Sequence, residues 1–238
     1  MKKSLWACML YVQLAYVAAR EPDQDKASQI ADSASLDADF CRNGLFPREQ
    51  ESLSLGVVQG QKAEKVHFFD DFDGCPSNGA QCRQSTYLVP GDEVLVGKTT
   101  ADWACVWYQG RKHEYVSWVP KKNVSLHPAS PIHPVADWIG VWVDGPEKIW
   151  ISLLNSKDGL QLRSKMRWDG GTSPDGEIRA NYGGMTGRLD VHGSSASALE
   201  GDCQVRLTRI GKYLVADDNG ACGGMNVRHT GLYLRPTK

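Results

Sequence analysis

Six cysteines constrain this chain more than any other feature. Cys41, Cys75, Cys82, Cys105, Cys203 and Cys222 remain once Cys8, inside the leader described below, is set aside. None falls in a CxxC spacing and no Cys–His cluster has zinc-ligand spacing, so the pattern reads as a disulfide framework and not a metal site. Cys203 and Cys222 are the only cysteines beyond residue 105, which pairs them with each other. Closing that loop of roughly 20 residues is worth about 3 kcal/mol in the chain-entropy account. For the other four, Cys75–Cys82 with Cys41–Cys105 is favoured, and Cys41–Cys75 with Cys82–Cys105 stays open.

Oxidised cysteines require an oxidising compartment, and the first residues supply the route. Lys2 and Lys3 precede an apolar run from Leu5 to Val17 broken only by Gln13, and Val17-Ala18-Ala19 offers small residues for cleavage. This is the layout of a signal peptide, residues 1–19, cut after Ala19. It is too short for a membrane span of ~20 apolar residues. Periplasmic or secreted localisation follows. Losing Lys2 and Lys3 leaves 25 basic residues against 28 acidic, net −3. Phosphate recognition needs a cationic excess, so nucleic acid is not the expected partner. Residues 20–40 are acidic and rich in Ala, Ser and Asp; they read as a flexible spacer without enough apolar surface to fold.

The remainder reads as strands. Cys203, Val205 and Leu207 alternate with Gln204, Arg206 and Thr208, the period of a strand with one buried face. Tyr213-Leu214-Val215 is β-rich, Asp217-Asp218-Asn219-Gly220 is a turn signal, and Asn226 to Leu234 is expected to return as the last strand. Upstream, residues 41–127 hold short apolar runs at Val57-Val58, Val66 to Phe69, Tyr87 to Val89, Val94 to Val96, Ala104 to Tyr108 and Tyr115 to Val119, punctuated by Gly, Pro, Asn and Asp. That spacing suggests a small barrel or sandwich. Tyr87-Leu88-Val89-Pro90-Gly91-Asp92-Glu93-Val94-Leu95-Val96 resembles the "lxxGDxVxV" strand of bacterial SH3-like domains. Trp103 to Tyr108 and Tyr115 to Pro120 resemble their following strands, with Ser117 where glycine is common. The resemblance, over about Val57 to Leu126, implies a five- to six-stranded barrel that binds peptides or cell-wall components.

His127 to Pro134 carries three prolines, so residues 128–136 read as an extended, stiff linker. In residues 137–238, Lys148 to Leu154 and Leu160 to Trp168 flank a turn at Asn155 to Gly159. Leu160, Leu162, Ser164, Met166 and Trp168 share one strand face; Gln161, Arg163, Lys165 and Arg167 share the other. Gly140-Val141-Trp142 resembles the "GxW" of the first strand of lipocalin-type (calycin) barrels, and Arg235 resembles the arginine that packs on that tryptophan. The expected fold is all-β and disulfide-bonded: an SH3-like barrel, then a small antiparallel meander barrel.

Candidate ligand-binding residues are the aromatics Tyr87, Trp103 and Tyr108, which could line a peptide or glycan groove, and the cations Arg163, Lys165 and Arg167, which could meet an acidic groove or loop. For both sets the plainer reading is packing or a solvated strand face; Trp142 and Trp150 are expected in the core. The histidines are scattered, there is no GxSxG, HExxH or phosphate-cradling loop, and oxidised cysteines are not nucleophiles. The sequence therefore implies no catalytic residue, cofactor or metal. It points to a non-enzymatic exported binding protein of the bacterial envelope, of inhibitor or immunity type, whose partner is a protein or a cell-wall component. A wall-binding module is the second reading. A hydrolase with paired carboxylates is the third, because such a pair needs no local motif.

Overall fold

The computed structural model describes residues 40–42, 45–49, 53–110, 113–127, 136–154 and 159–236. The expected signal peptide, the spacer up to residue 39 and the linker up to residue 135 lie outside the described residues. Seven strands form the first sheet: β1 (Ser54–Val58), β2 (Val66–Phe69), β3 (Arg83–Leu88), β4 (Glu93–Thr99), β5 (Trp103–Gln109), β6 (Glu114–Pro120) and β7 (Val124–His127), in the order β3-β2-β6-β5-β4-β1-β7. Nine form the second: β8 (Gly140–Asp144), β9 (Glu147–Leu153), β10 (Leu160–Thr172), β11 (Ile178–Gly183), β12 (Thr186–His192), β13 (Ser195–Glu200), β14 (Cys203–Ile210), β15 (Tyr213–Asp218) and β16 (Gly231–Tyr233). The only helical pieces among the described residues are short 3-10 turns. The protein is all-β.

The second sheet is the expected antiparallel meander, β8-β9-β10-β12-β13-β14-β15-β16, with β11 paired to the far half of β10. Its ends meet. Val143 N–H donates to Leu234 O at 2.8 Å and Leu234 N–H to Val143 O at 3.0 Å, so the sheet closes into a barrel and buries its edges. Alternation fills the interior with Trp142, Ile149, Ile151, Leu160, Leu162, Met166, Val205, Leu207, Leu214 and Tyr233. Trp142 sits at one end, its Nε1–H donating to Trp138 O at 3.1 Å. The expected contact with Arg235 is made, the guanidinium lying 4.5 Å from the indole centroid. Trp150 does not join the core. Ile149 and Ile151 beside it point inward, so alternation turns Trp150 outward, where it is half-buried.

The disulfides are Cys41–Cys105, Cys75–Cys82 and Cys203–Cys222. The last strand is much shorter than expected. Residues 219–230 form an irregular loop, and only Gly231–Tyr233 pairs as β16. Gly183 and Gly223 explain the path: they form an isolated bridge, and a Cβ on Gly183 would stand 2.8 Å from Cys222 O and Gly223 Cα. Two glycines let the loop backbone press onto β11.

The two sheets share a core. The first sheet curls around Val58, Val66, Phe68, Leu88, Val94, Val96, Val106 and Val119. Its opposite face offers Leu95, Cys105, Trp107 and Trp118 to Ile210, Tyr213, Val215 and Leu232 of the second sheet, with Cys41 and Phe46 completing the cluster. Trp107 and Tyr213 meet edge-on at 5.4 Å, and Tyr213 Oη–H donates to Glu93 Oε1 at 3.1 Å. Strands covered on both faces need apolar side chains on both faces. The unbroken runs Val94-Leu95-Val96, Ala104 to Trp107 and Tyr213 to Ala216 supply them.

Candidate functional site

The three candidate aromatics do not line one groove. Tyr87 is 41% exposed on edge strand β3, against His67 and under Lys65. Trp103, at the start of β5, packs on Phe69 and the shared core. Tyr108, five residues further along β5, leans on the first sheet's own core, with its hydroxyl 3.4 Å from Asp92. A separation of about 16 Å along the strand keeps the last two apart.

The cations Arg163, Lys165 and Arg167 do share the outward face of β10, as the alternation required, and the register adds neighbours that the sequence alone could not assign. Trp150 on β9 stands opposite Arg163, and Lys148 stands opposite Lys165. Arg167 is held by Asp169 at 2.7 Å, and Arg188 on β12 by Asp190 at 3.2 Å. Lys148, Arg163 and Lys165 have no ion-pair partner among the described residues. Like charges directly opposite on neighbouring strands are destabilising. The Lys148–Lys165 pair therefore costs the fold something locally, beside an outward indole.

A cleft of about 820 Å³ opens between the sheets where the β5–β6 turn, the β8–β9 turn and the chain end meet; Gln109, His113, Glu114, Asp144, Leu232 and Arg235 line it. Glu114 accepts the Trp107 Nε1–H at 2.9 Å. Burial pushes the Asp144 carboxyl up to about 7, helped by the charges of Glu114 and Glu147 and opposed by a hydrogen bond from the Leu232 backbone. Burial likewise raises Glu147. Nothing in the local sequence marks Asp144. Its neighbours come from β6, β9 and β16, and tertiary structure alone assembles them.

A third cluster lies beneath the 219–230 loop. His229 is fully buried, its Nδ1 3.0 Å from Asp218 Oδ2 and its Nε2 2.7 Å from Ser164 Oγ. Asp218 can only accept, so Nδ1 carries the proton. Asp218 also receives the N–H groups of His229 and Gly220. Burial alone would push its carboxyl up, but the His229 and Gly220 hydrogen bonds outweigh that and hold it below the usual range. The distances are those of a serine–histidine–aspartate relay. The setting is not: Ser164 points to the barrel side of β10, its Oγ already accepts the Met185 N–H at 2.8 Å, and His229 has no exposed surface. The cluster acts as a latch for the loop. The turn expected at Asp217 to Gly220 is corrected accordingly, since Asp217 and Asp218 end β15, with Asp217 held by Arg206 and Thr230 and Asp218 by His229. Asp218, Cys222 and His229 stand close enough together to suggest a metal site, but the Cys222 sulfur belongs to the disulfide with Cys203.

Compared with known proteins, the chain matches no protein-family model, no curated protein and no solved structure.

Proposed function

We propose that this is an exported, non-enzymatic binding protein of the bacterial envelope, of inhibitor or immunity type, and that it meets a protein partner through the outward face of β9 and β10. The observation that carries the reading is the set Lys148, Arg163 and Lys165 around Trp150. Three cations without an ion-pair partner among the described residues flank a half-buried indole, and one like-charge pair is kept at a cost to the fold. An aromatic anchor ringed by charge is the composition of an interface, and the complementary surface is acidic. Export follows from the leader-like first 19 residues, agrees with three disulfides, and is not opposed by the described residues, in which no helix is long and apolar enough to cross a membrane.

Envelope extract passed over the immobilised mature protein tests the reading. A protein partner is expected on the wild type. Its recovery should fall by at least about tenfold on the Arg163→Glu/Lys165→Glu double variant, because reversing two charges turns attraction into repulsion. Both positions are exposed, so stability should change by less than about 1 kcal/mol. Equal recovery on both proteins would remove this face from the interface. Co-sedimentation with purified peptidoglycan, with no protein captured, would favour a wall-binding module, the role that the SH3-like resemblance of the first half suggests.

A second reading has one observation in its favour. Asp144, titrating near neutrality beside Glu114 in a cleft, has the character of a general acid. Release of reducing sugar from peptidoglycan by the purified protein, abolished by Asp144→Asn, would replace the binding reading with a carboxylate-dependent hydrolase.

A further inference from the structure

The hairpin of β10 and β11 leaves the barrel. β9 accompanies β10 only as far as Lys165, and β12 only as far as Arg163. From Met166 to Thr172 its one strand partner is β11. Thr172 stands about 20 Å along the strand from Lys165. Beyond the Gly183–Gly223 bridge at its base, neither long edge of this two-stranded ribbon has a strand partner among the described residues. Every residue from Asp169 to Arg179 except Ser173 is exposed. A lone two-stranded ribbon is marginal in water, yet this one is ordered at both ends. At the base, Trp168 packs on the barrel core and Asn181 Nδ2–H donates to Met225 O at 2.8 Å. At the tip, Ser173 N–H donates to Glu177 O at 2.8 Å, Gly176 N–H donates to Ser173 O at 2.9 Å, and the Ser173 hydroxyl donates to the Asp175 carboxylate. That last bond holds the Asp175 carboxyl below the usual carboxylate range. Asp175 and Glu177 have no ion-pair partner among the described residues. Ile178, Ala180 and Tyr182 share one face by alternation. Tyr182 stands opposite Arg167, so this face continues the one that carries Arg163 and Lys165. Ile178 is 70% exposed and Tyr182 58%.

We infer that the β10–β11 ribbon inserts into a cleft of the partner protein, with Ile178 and Tyr182 against an apolar wall and Asp175 and Glu177 meeting cationic groups at its floor. The inference rests on the reading of the β9–β10 face as the interface, and it makes that face the contact at the rim. A convex ribbon two strands wide is enclosed on both faces only by a concave surface; a flat partner would cover one face and leave the other wet. The charges divide in the same way, with carboxylates at the tip and cations on the barrel face, so the partner's cleft is cationic in its depth and acidic at its rim. Exposed aromatic and aliphatic anchors that fill pockets carry most of the energy of such contacts. A tip already ordered by its own hydrogen bonds loses little entropy on insertion.

The test uses the full mature protein with a photo-cross-linking benzoylphenylalanine placed either at Ile178, on the ribbon, or at Arg163, on the barrel face. Each protein is irradiated in envelope extract, and the linked peptides are mapped by mass spectrometry. Both positions are expected to link the same protein, and the link from position 178 is expected to fall on residues that line a cleft containing Lys or Arg. Links from position 163 alone overturn the insertion and leave the barrel face as the interface. Links from position 178 alone, into such a cleft, keep the insertion and remove the barrel face. No link from either position overturns both. A link from position 178 to a flat surface, or to a second copy of this chain, overturns the insertion. With the linked protein purified, Ile178→Ser/Tyr182→Ser should weaken its binding by about tenfold or more at an unchanged melting temperature, since both side chains are exposed. Equal affinity of wild type and variant also overturns the insertion.

Discussion

Replacing Asp218 with alanine is expected to destabilise the protein by about 3–5 kcal/mol, because several donors, the buried His229 ring among them, lose a carboxylate acceptor. Three donors lose their acceptor at once: His229 Nδ1–H, the His229 N–H and the Gly220 N–H. The His229 ring cannot turn to water, because the Asp218 and His229 side chains have no exposed surface. The loop 219–230 carries one half of the Cys203–Cys222 bridge and leads into β16, the strand that closes the barrel, so the loss reaches beyond the loop. Denaturant unfolding at neutral pH measures it. Ser164→Ala should cost far less, since it removes one neutral hydroxyl; equal losses at the two positions would contradict the assignment of Asp218 as the centre of the latch. The pH dependence has a definite sign. The folded carboxyl is depressed, so its stabilisation is present above the ordinary carboxylate range and is lost as pH falls through the folded value.

Asp144 works in the opposite direction. Its pKa is raised from 3.8 to about 7, so the unfolded chain releases this proton first. The stability associated with the group is whole below about pH 4 and is lost as pH rises to about 7. Roughly three pKa units correspond to about 4 kcal/mol at most. Asp144→Asn keeps the shape and the hydrogen bonding of the protonated acid. It should match the wild type near pH 4 and exceed it by up to about 4 kcal/mol at pH 8, with the difference growing between those limits. A difference that stays flat across the range would show that burial and the two neighbouring carboxylates do not raise this group. The same experiment bears on the hydrolase reading, because the group that destabilises the fold at neutral pH is the one that would serve as general acid. Gly231 belongs to this site as well, since a Cβ there would collide with the Asp144 carboxylate.

Much of the architecture was legible along the chain because its signals are local. Alternation at Leu160 to Trp168 correctly separated the inward Leu160, Leu162 and Met166 from the outward Arg163, Lys165 and Arg167. The all-β class, the meander order of the second half and the bridge between Cys203 and Cys222 follow from strand period, turn residues and cysteine position. The pairing of the first four cysteines had two candidates on paper, and only the folded positions of Cys41 and Cys105 in the shared core selected one. Trp150 was misplaced because a large aromatic suggests a core; its neighbours' alternation was the better guide. The last strand was overestimated because Val227, His229 and Gly231 resemble a strand face, while the backbone there is held by Asp218 and by the close approach of Gly183 to Gly223.

The amino-acid order by itself determined the strand-forming character of the chain, the apolar face of β10 and β14, and that the chain needs oxidised sulfur. These properties depend on residues two or four apart, whose geometry is set by the backbone. Tertiary structure alone decided that Lys148 faces Lys165, that Asp144 meets Glu114, that His229 lies between Ser164 and Asp218, and that Arg209 is buried without acceptors for two of its nitrogens. Each of these depends on distance or solvent exclusion between residues remote in the chain. Charge and burial act through space, and the linear order does not carry spatial neighbours.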